Sequence, residues 1–329
     1  MISPTEVALY LARHFGVKAR WSAALEHYVE RPYRERDDAN NSQVHSIFLD
    51  DRQFLQKEFK KFSGRQPLVI RGFTKEVARE PWSLDNLRLP ELSEIPVVMK
   101  YCARHAAQVW DPGLKKVPLS AALKAIDENP TANVISASEL SHKMRARQNW
   151  AWIKSLEDTF GRHCFATQLL FGGSATGTAF HSESGENFFL ELGGVKSWAL
   201  VSPEESPCMY PILGLKNYYG SPVQSEYRDS PDQTANYPLA RKAKMLRVDL
   251  HPGDLLYIPP WWWHEVRNRE PYVGLSIRTS GHLTQDFPRT ILALALLDRS
   301  YRTEYLREVA QITRHIVFKG SKHIDKLTL

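Results

Sequence analysis

Between residues 165 and 279 the chain is cut into short stretches rich in β-branched and aromatic residues, and this spacing limits its architecture more than any other feature. The segments 165–171, 187–192, 195–201, 246–250, 255–258, 262–267 and 273–279 are each bounded by Gly, Pro or Ser. Such runs are too short for helices, and no regular helical pattern separates one from the next. The pattern therefore predicts a β-barrel or sandwich. A two-glycine step, Gly193-Gly194, joins two of the strongest runs and reads as a tight hairpin. In that register Glu191 would oppose Lys196, Phe189 would oppose Trp198 and Asn187 would oppose Leu200.

The flanks read differently. Ser3, Pro4 and Glu6 form an N-terminal capping pattern for a helix over 3–15, and residues 28–46 are charged and aperiodic, as in an exposed connection. Gln66 to Phe73 and Ile95 to Tyr101 read as buried strands, 117–126 as a helix and 133–138 as another strand. Residues 202–240, rich in proline and tyrosine, form a long insert between two strands; Tyr210, Tyr218, Tyr219 and Tyr227 are candidate substrate contacts there. Beyond Gln285 apolar residues recur at three- and four-residue steps, which predicts terminal helices that cap the body or pair two copies of the chain. The expected organisation is a helical extension over 1–50, a catalytic domain over 51–282 and C-terminal helices over 283–329.

Composition narrows the function classes. The three cysteines, Cys102, Cys164 and Cys208, are odd in number and scattered, against a disulfide framework or a paired-cysteine zinc site. No leader pattern or long apolar run is evident, so a cytoplasmic location is expected. The 43 basic residues are offset by 37 acidic ones along the whole length, and only Arg241, Lys242, Lys244 and Arg247 cluster, which makes nucleic acid a minor alternative partner.

The chemistry concentrates at Thr178-Ala179-Phe180-His181-Ser182-Glu183. On a strand, His181 and Glu183 point to one face, so both can reach one ion. A third donor, His264, ends the Trp261-Trp262-Trp263 run. Two histidines and one carboxylate on one side of a metal leave its other positions open, the arrangement suited to non-haem Fe(II) that binds a cosubstrate and oxygen together. A His-x-Glu pair alone is more often a hydrogen-bonded surface pair, and Lys196 alone reads equally well as a solvent-facing partner of Glu191. His251, before the Pro252-Gly253 turn, reads as a loop residue, and the three tryptophans as packing, with Trp262 on the face of His264.

Two stretches, TAFHSESGENFFLELGGVKSWALVSP and HPGDLLYIPPWWWHEV, carry a resemblance to the JmjC and cupin-like oxygenases, in particular the hydroxylase branch that includes the asparaginyl hydroxylase of hypoxia-inducible factor. The resemblance implies a mainly β fold, the double-stranded β-helix or jelly roll of cupin and JmjC domains, with flanking N- and C-terminal helices. It implies Fe(II) held by His181, Glu183 and His264, 2-oxoglutarate as cosubstrate with its far carboxylate on Lys196, and Thr178 and Asn187 assisting. A further polar contact would fall on Ser276 or Arg278. The reaction implied is hydroxylation of an unactivated C–H bond by O2, with 2-oxoglutarate decarboxylated to succinate, on a protein or peptide side chain or an amino-acid-like molecule. Glu183 departs from the aspartate usual in the hydroxylase branch and matches the demethylase branch. Three other readings thus stay open: an N-methyl-lysine demethylase, a non-catalytic metal-binding cupin, and a cupin enzyme that uses metal without 2-oxoglutarate.

Overall fold

The computed structural model describes residues 30–48, 52–101, 113–148, 151–183, 185–213, 218–226 and 228–279. The predicted N-terminal helix and the terminal helices, with their suggested dimer contact, lie outside the described residues, as does Tyr227.

Among the described residues sixteen strands form two sheets. In chain order they are β1 (Ser42–Gln43), β2 (His45–Phe48), β3 (Leu68–Arg71), β4 (Pro96–Tyr101), β5 (Lys115–Pro118), β6 (Ala132–Ser136), β7 (Cys164–Gly172) and β8 (Gly177–Glu183). There follow β9 (Glu186–Gly193), β10 (Lys196–Val201), β11 (Ile212–Leu213), β12 (Tyr218–Gly220), β13 (Met245–Leu250), β14 (Leu255–Ile258), β15 (Trp263–Asn268) and β16 (Tyr272–Thr279). One sheet has the order β1-β13-β10-β15-β8-β12-β11, the other β2-β3-β14-β9-β16-β7-β6-β4-β5.

From β7 to β10 and again from β13 to β16, successive strands alternate between the two sheets. Only β10 and β13, joined by the 202–240 insert, are consecutive in this core and hydrogen-bonded to each other. This winding is the jelly roll, or double-stranded β-helix, that the resemblance implied, and one form of the barrel or sandwich that the strand spacing predicted.

It also overturns the hairpin over Gly193-Gly194. β9 pairs with β14 and β16, whereas β10 pairs with β13 and β15. Lys196 opposes Leu250 and Asn268, Trp198 opposes Val248 and Val266, and Leu200 opposes Leu246 and His264. The glycines serve the crossing between sheets. A Cβ on Gly193 would lie 1.7 Å from the Trp82 carbonyl oxygen, and Gly194 has φ +84°.

Three apolar clusters follow from strand alternation. Between the sheets lie Val44, Val69, Phe189, Trp198, Leu200, Val248, Leu256, Trp262 and Val266. The outer face of the larger sheet, with Phe188, Leu190, Tyr257, Leu275 and Ile277, is covered by helices over Arg52–Phe62, Leu119–Glu128, Ser138–Gln148 and Ala151–Phe160. On the other sheet Phe180, Ala199, Val201 and Trp263 pack under Met209, Val223 and Leu239 of the insert. The 28–46 stretch is not merely an exposed connection. Glu30 and Val44 are buried, and β1 and the start of β2 pair in parallel with β13 and β3.

Candidate metal centre

Two adjacent strands, β8 and β15, bring the three candidate ligands together. His181 lies directly opposite His264, and their ring centroids are 4.0 Å apart. Glu183, two residues along β8, places Oε1 3.6 Å from Nε2 of His181. One donor atom from each residue falls within 4.8 Å of the others. Backbone contacts lock the approach: Trp261 N–H donates to the Glu183 carbonyl at 2.7 Å, and Ser182 Oγ donates to the Trp261 carbonyl at 2.8 Å.

Both imidazoles are oriented by their own strands. Nδ1 of His181 faces the Ala179 carbonyl and Nδ1 of His264 faces the Trp262 carbonyl, each at 2.9 Å. A carbonyl can only accept, so each Nδ1 carries the proton and each Nε2 lone pair is left for a metal. Burial, then the neighbouring His181, pushes His264 down to about 3, so it is neutral at physiological pH. Burial alone would raise Glu183, but the Arg278 guanidinium and then His181 hold its carboxyl well below the usual carboxylate range. The donor set is thus the neutral His264 imidazole, the His181 imidazole and a carboxylate, donor types that suit a divalent metal.

A β-bulge completes the site. His264 opposes His181 but Val266 opposes Thr178, so one extra residue is accommodated in β8 between them. Without it, Thr178 and His181, three residues apart, would face opposite sides. Opposed residues share a face, and Val266 faces the space between the sheets, so Thr178 does too.

From the other sheet Asn187 and Ser276 face the same space, joined by a 2.9 Å hydrogen bond from Ser276 Oγ to Asn187 Oδ1. Arg278, opposite Asn187, reaches Glu183 with Nη1. The two residues that spacing could not separate therefore do different things: Ser276 orients an amide, and Arg278 neutralises a candidate ligand.

Lys196 is 2% exposed, not solvent-facing. Its Nζ lies 3.3 Å from the ring centroid of Tyr272 and 5.0 Å from that of Phe189. Burial lowers Lys196 to about 7, with Glu191 acting the other way. Asn187, Glu191 and Lys196 are buried toward one interior, through the meeting of two sheet faces and not through the ladder of the overturned hairpin. Trp198 lies between Lys196 and the histidines, its ring 6.0 Å from that of His264, and its buried indole N–H meets no acceptor among the described residues. A buried ammonium, an unsatisfied indole N–H donor and the candidate ligands thus face one interior.

Other residues have structural duties. Tyr210 accepts from Leu239 N–H at 3.0 Å and stacks edge-on with Tyr237. β12 in the insert pairs with β8 at Glu183, Ser182 and His181, so the insert borders the ligands. Sequence reasoning passed over two polar anchors. Glu186 accepts from Tyr257, Arg162 and Thr279, and Asp254 accepts from Gly72 N–H, His251 N–H and Arg71. Asp254 was legible as the turn residue after Gly253, whereas the partners of Glu186 are too distant in sequence for any local signal.

Comparison with known proteins gives a consistent picture. A family model described as a cupin-like domain matches residues 55–277. HSPB1-associated protein 1 of Homo sapiens is 33% identical over 127 residues, 38% of this chain and 25% of that protein. Jumonji C domain-containing protein 5 of Drosophila melanogaster is 30% identical over 122 residues, 37% of this chain and 29% of that protein. The tRNA wybutosine-synthesizing protein 5 of Homo sapiens is 30% identical over 134 residues, 37% of this chain and 40% of that protein. Each alignment spans less than half of the relative.

Proposed function

The chain belongs to the cupin-like domain family, and from that premise we propose that it is an Fe(II)- and 2-oxoglutarate-dependent oxygenase that hydroxylates an unactivated C–H bond. The observation that carries the reading is the convergence of His181, Glu183 and His264 within 4.8 Å, on the same interior that holds the buried ammonium of Lys196. When bound, Fe(II) with 2-oxoglutarate and O2 supplies the oxidising power, one oxygen atom going to the substrate carbon and the other to succinate as CO2 leaves.

The residues divide the remaining work. The two Nε2 atoms and the Glu183 carboxylate hold the metal from one side, leaving the opposite side open. Lys196 receives the far carboxylate of the cosubstrate, and two aromatic faces keep its ammonium in place. Thr178 and Asn187, the latter oriented by Ser276, provide polar contacts near the metal. Phe189, Trp198, Leu200 and Val266 keep bulk water from the chamber. The substrate is a protein or peptide side chain, or a small molecule resembling one. HSPB1-associated protein 1 is named for association with a protein, and the insert beside β8 is the natural place to recognise one.

The test is an anaerobic titration of metal-free protein with Fe(II) and 2-oxoglutarate, following the weak visible charge-transfer band of the chelate in wild type and in Lys196→Ala. A band that needs both additions and weakens in the variant supports the proposal. Bound iron with no band overturns it and leaves a metal-binding cupin of another kind.

A further inference from the structure

One acid in the chamber has no place in this account. Glu191 is completely buried, and neither carboxyl oxygen has a hydrogen-bond partner among the described residues. An ionised carboxylate left so is costly, and a neutral acid still has a proton to donate.

Alternation along β9 puts Glu191 on the inner face with Asn187 and Phe189. Across the ladder β16 offers Gly274, with no side chain to satisfy it. β10 contributes Lys196, which rests on aromatic rings and forms no ion pair with a described residue. The hydroxyl of Tyr272 donates to Asn133 at 2.7 Å and is already engaged. The remaining charges that bear on Glu191 are acidic: Asp254 from the turn before β14 and Glu270 from the turn before β16. Burial first, then these carboxylates, raise Glu191 well above the usual range, with Lys196 opposing them.

We propose that Glu191 is a second anchor for the far end of the cosubstrate, a neutral carboxylic acid that donates a hydrogen bond to the same carboxylate that Lys196 binds. The inference rests on the oxygenase reading and deepens it. A bound carboxylate brings the acceptor that this acid lacks, and the proton stays on Glu191 throughout. Were Glu191 ionised, the chamber would set two carboxylates side by side and weaken binding. A simpler role, as the anionic partner that keeps Lys196 charged, makes the opposite demand on an amide replacement.

The experiment is calorimetric binding of 2-oxoglutarate to the Mn(II)-loaded full chain without O2, in wild type, Glu191→Gln and Glu191→Leu, at about pH 6.5 and about pH 8.5. Glutamine keeps a donor, so its affinity stays within about threefold of wild type and does not fall relative to wild type as pH rises. Leucine removes the donor and weakens binding by ~10-fold or more. That loss disappears with 2-oxopentanoate, which lacks the far carboxylate, a dependence that a packing role would not produce. If the leucine variant does not fold, Glu191→Met replaces it. Weakening by glutamine as severe as by leucine overturns the inference in favour of an ion pair, and leucine binding as tightly as wild type confines Glu191 to packing. Absence of 2-oxoglutarate binding in wild type removes the oxygenase reading and this inference together.

Discussion

Replacing Glu265 by alanine tests what fastens the long insert to the barrel. Glu265 is 1% exposed on the outer face of β15; Oε1 pairs with Nη2 of Arg267, and Oε2 accepts from Ser225 N–H at 3.0 Å. Arg247, on the far side of Ala199 in the same sheet, donates to the Ser225 carbonyl at 3.0 Å. The alanine variant strands Arg267, only 7% exposed, together with a buried backbone N–H. Breaking one partner of such a pair costs about 3–5 kcal/mol, a large part of the ~5–15 kcal/mol that stabilises a typical domain. Urea denaturation midpoints should register this loss, with faster proteolytic cleavage inside 202–240. The double variant Glu265→Met/Arg267→Leu removes both charges and should recover most of the loss. A single-variant cost below about 1 kcal/mol, or a double variant no more stable than the single, would refute the argument.

Other consequences are equally open to measurement. Mn(II) or Fe(II) at about 100 times its dissociation constant should stabilise the protein by about 2.7 kcal/mol, visible as a raised melting temperature that His264→Ala abolishes. Glu191→Gln should stabilise the metal-free protein by an amount that grows with pH. The folded carboxyl is raised above its unfolded value, so its contribution is intact below the unfolded pKa of about 4.5 and is lost as pH climbs towards the folded one. Equal pH dependence in variant and wild type would contradict this. Gly274→Ala would place a Cβ 2.4 Å from Cζ of Phe189 and should cost about 1–3 kcal/mol, which Phe189→Leu relieves; a neutral effect on thermal unfolding would show that the ring has room.

The strands were legible because their signal is local. A period of two with turn residues at each end located β14 over 255–258 as read, and placed β7, β9, β13, β15 and β16 to within a residue or so at each end. The two helices over 138–148 and 151–160 were not read: the first is strongly polar, and its burial rests on Leu140 and Met144 alone among the residues of the core cluster. The bulge in β8 was also invisible, because nothing in the Ala179-Phe180 pair announces that Thr178 and His181 will face the same way.

Neighbour assignment failed for a more instructive reason. Periodicity says which residues share a face but not which strand lies alongside, and a Gly-Gly step has two physical causes. A tight two-residue hairpin needs positive φ at its first residue, and in type I′ at both. Here only Gly194 has it, whereas Gly193 is excluded from bearing a side chain by the carbonyl of Trp82, about 110 residues upstream. The alternative was discoverable from chemistry. A metal needs His264 beside His181, and β15 can lie beside β8 while β16 lies beside β9 only if consecutive strands change sheets. The ligand set therefore constrains the winding more tightly than the turn does, and that winding buries Glu191 and Lys196 together, against the alternative reading of a solvent-facing ion pair.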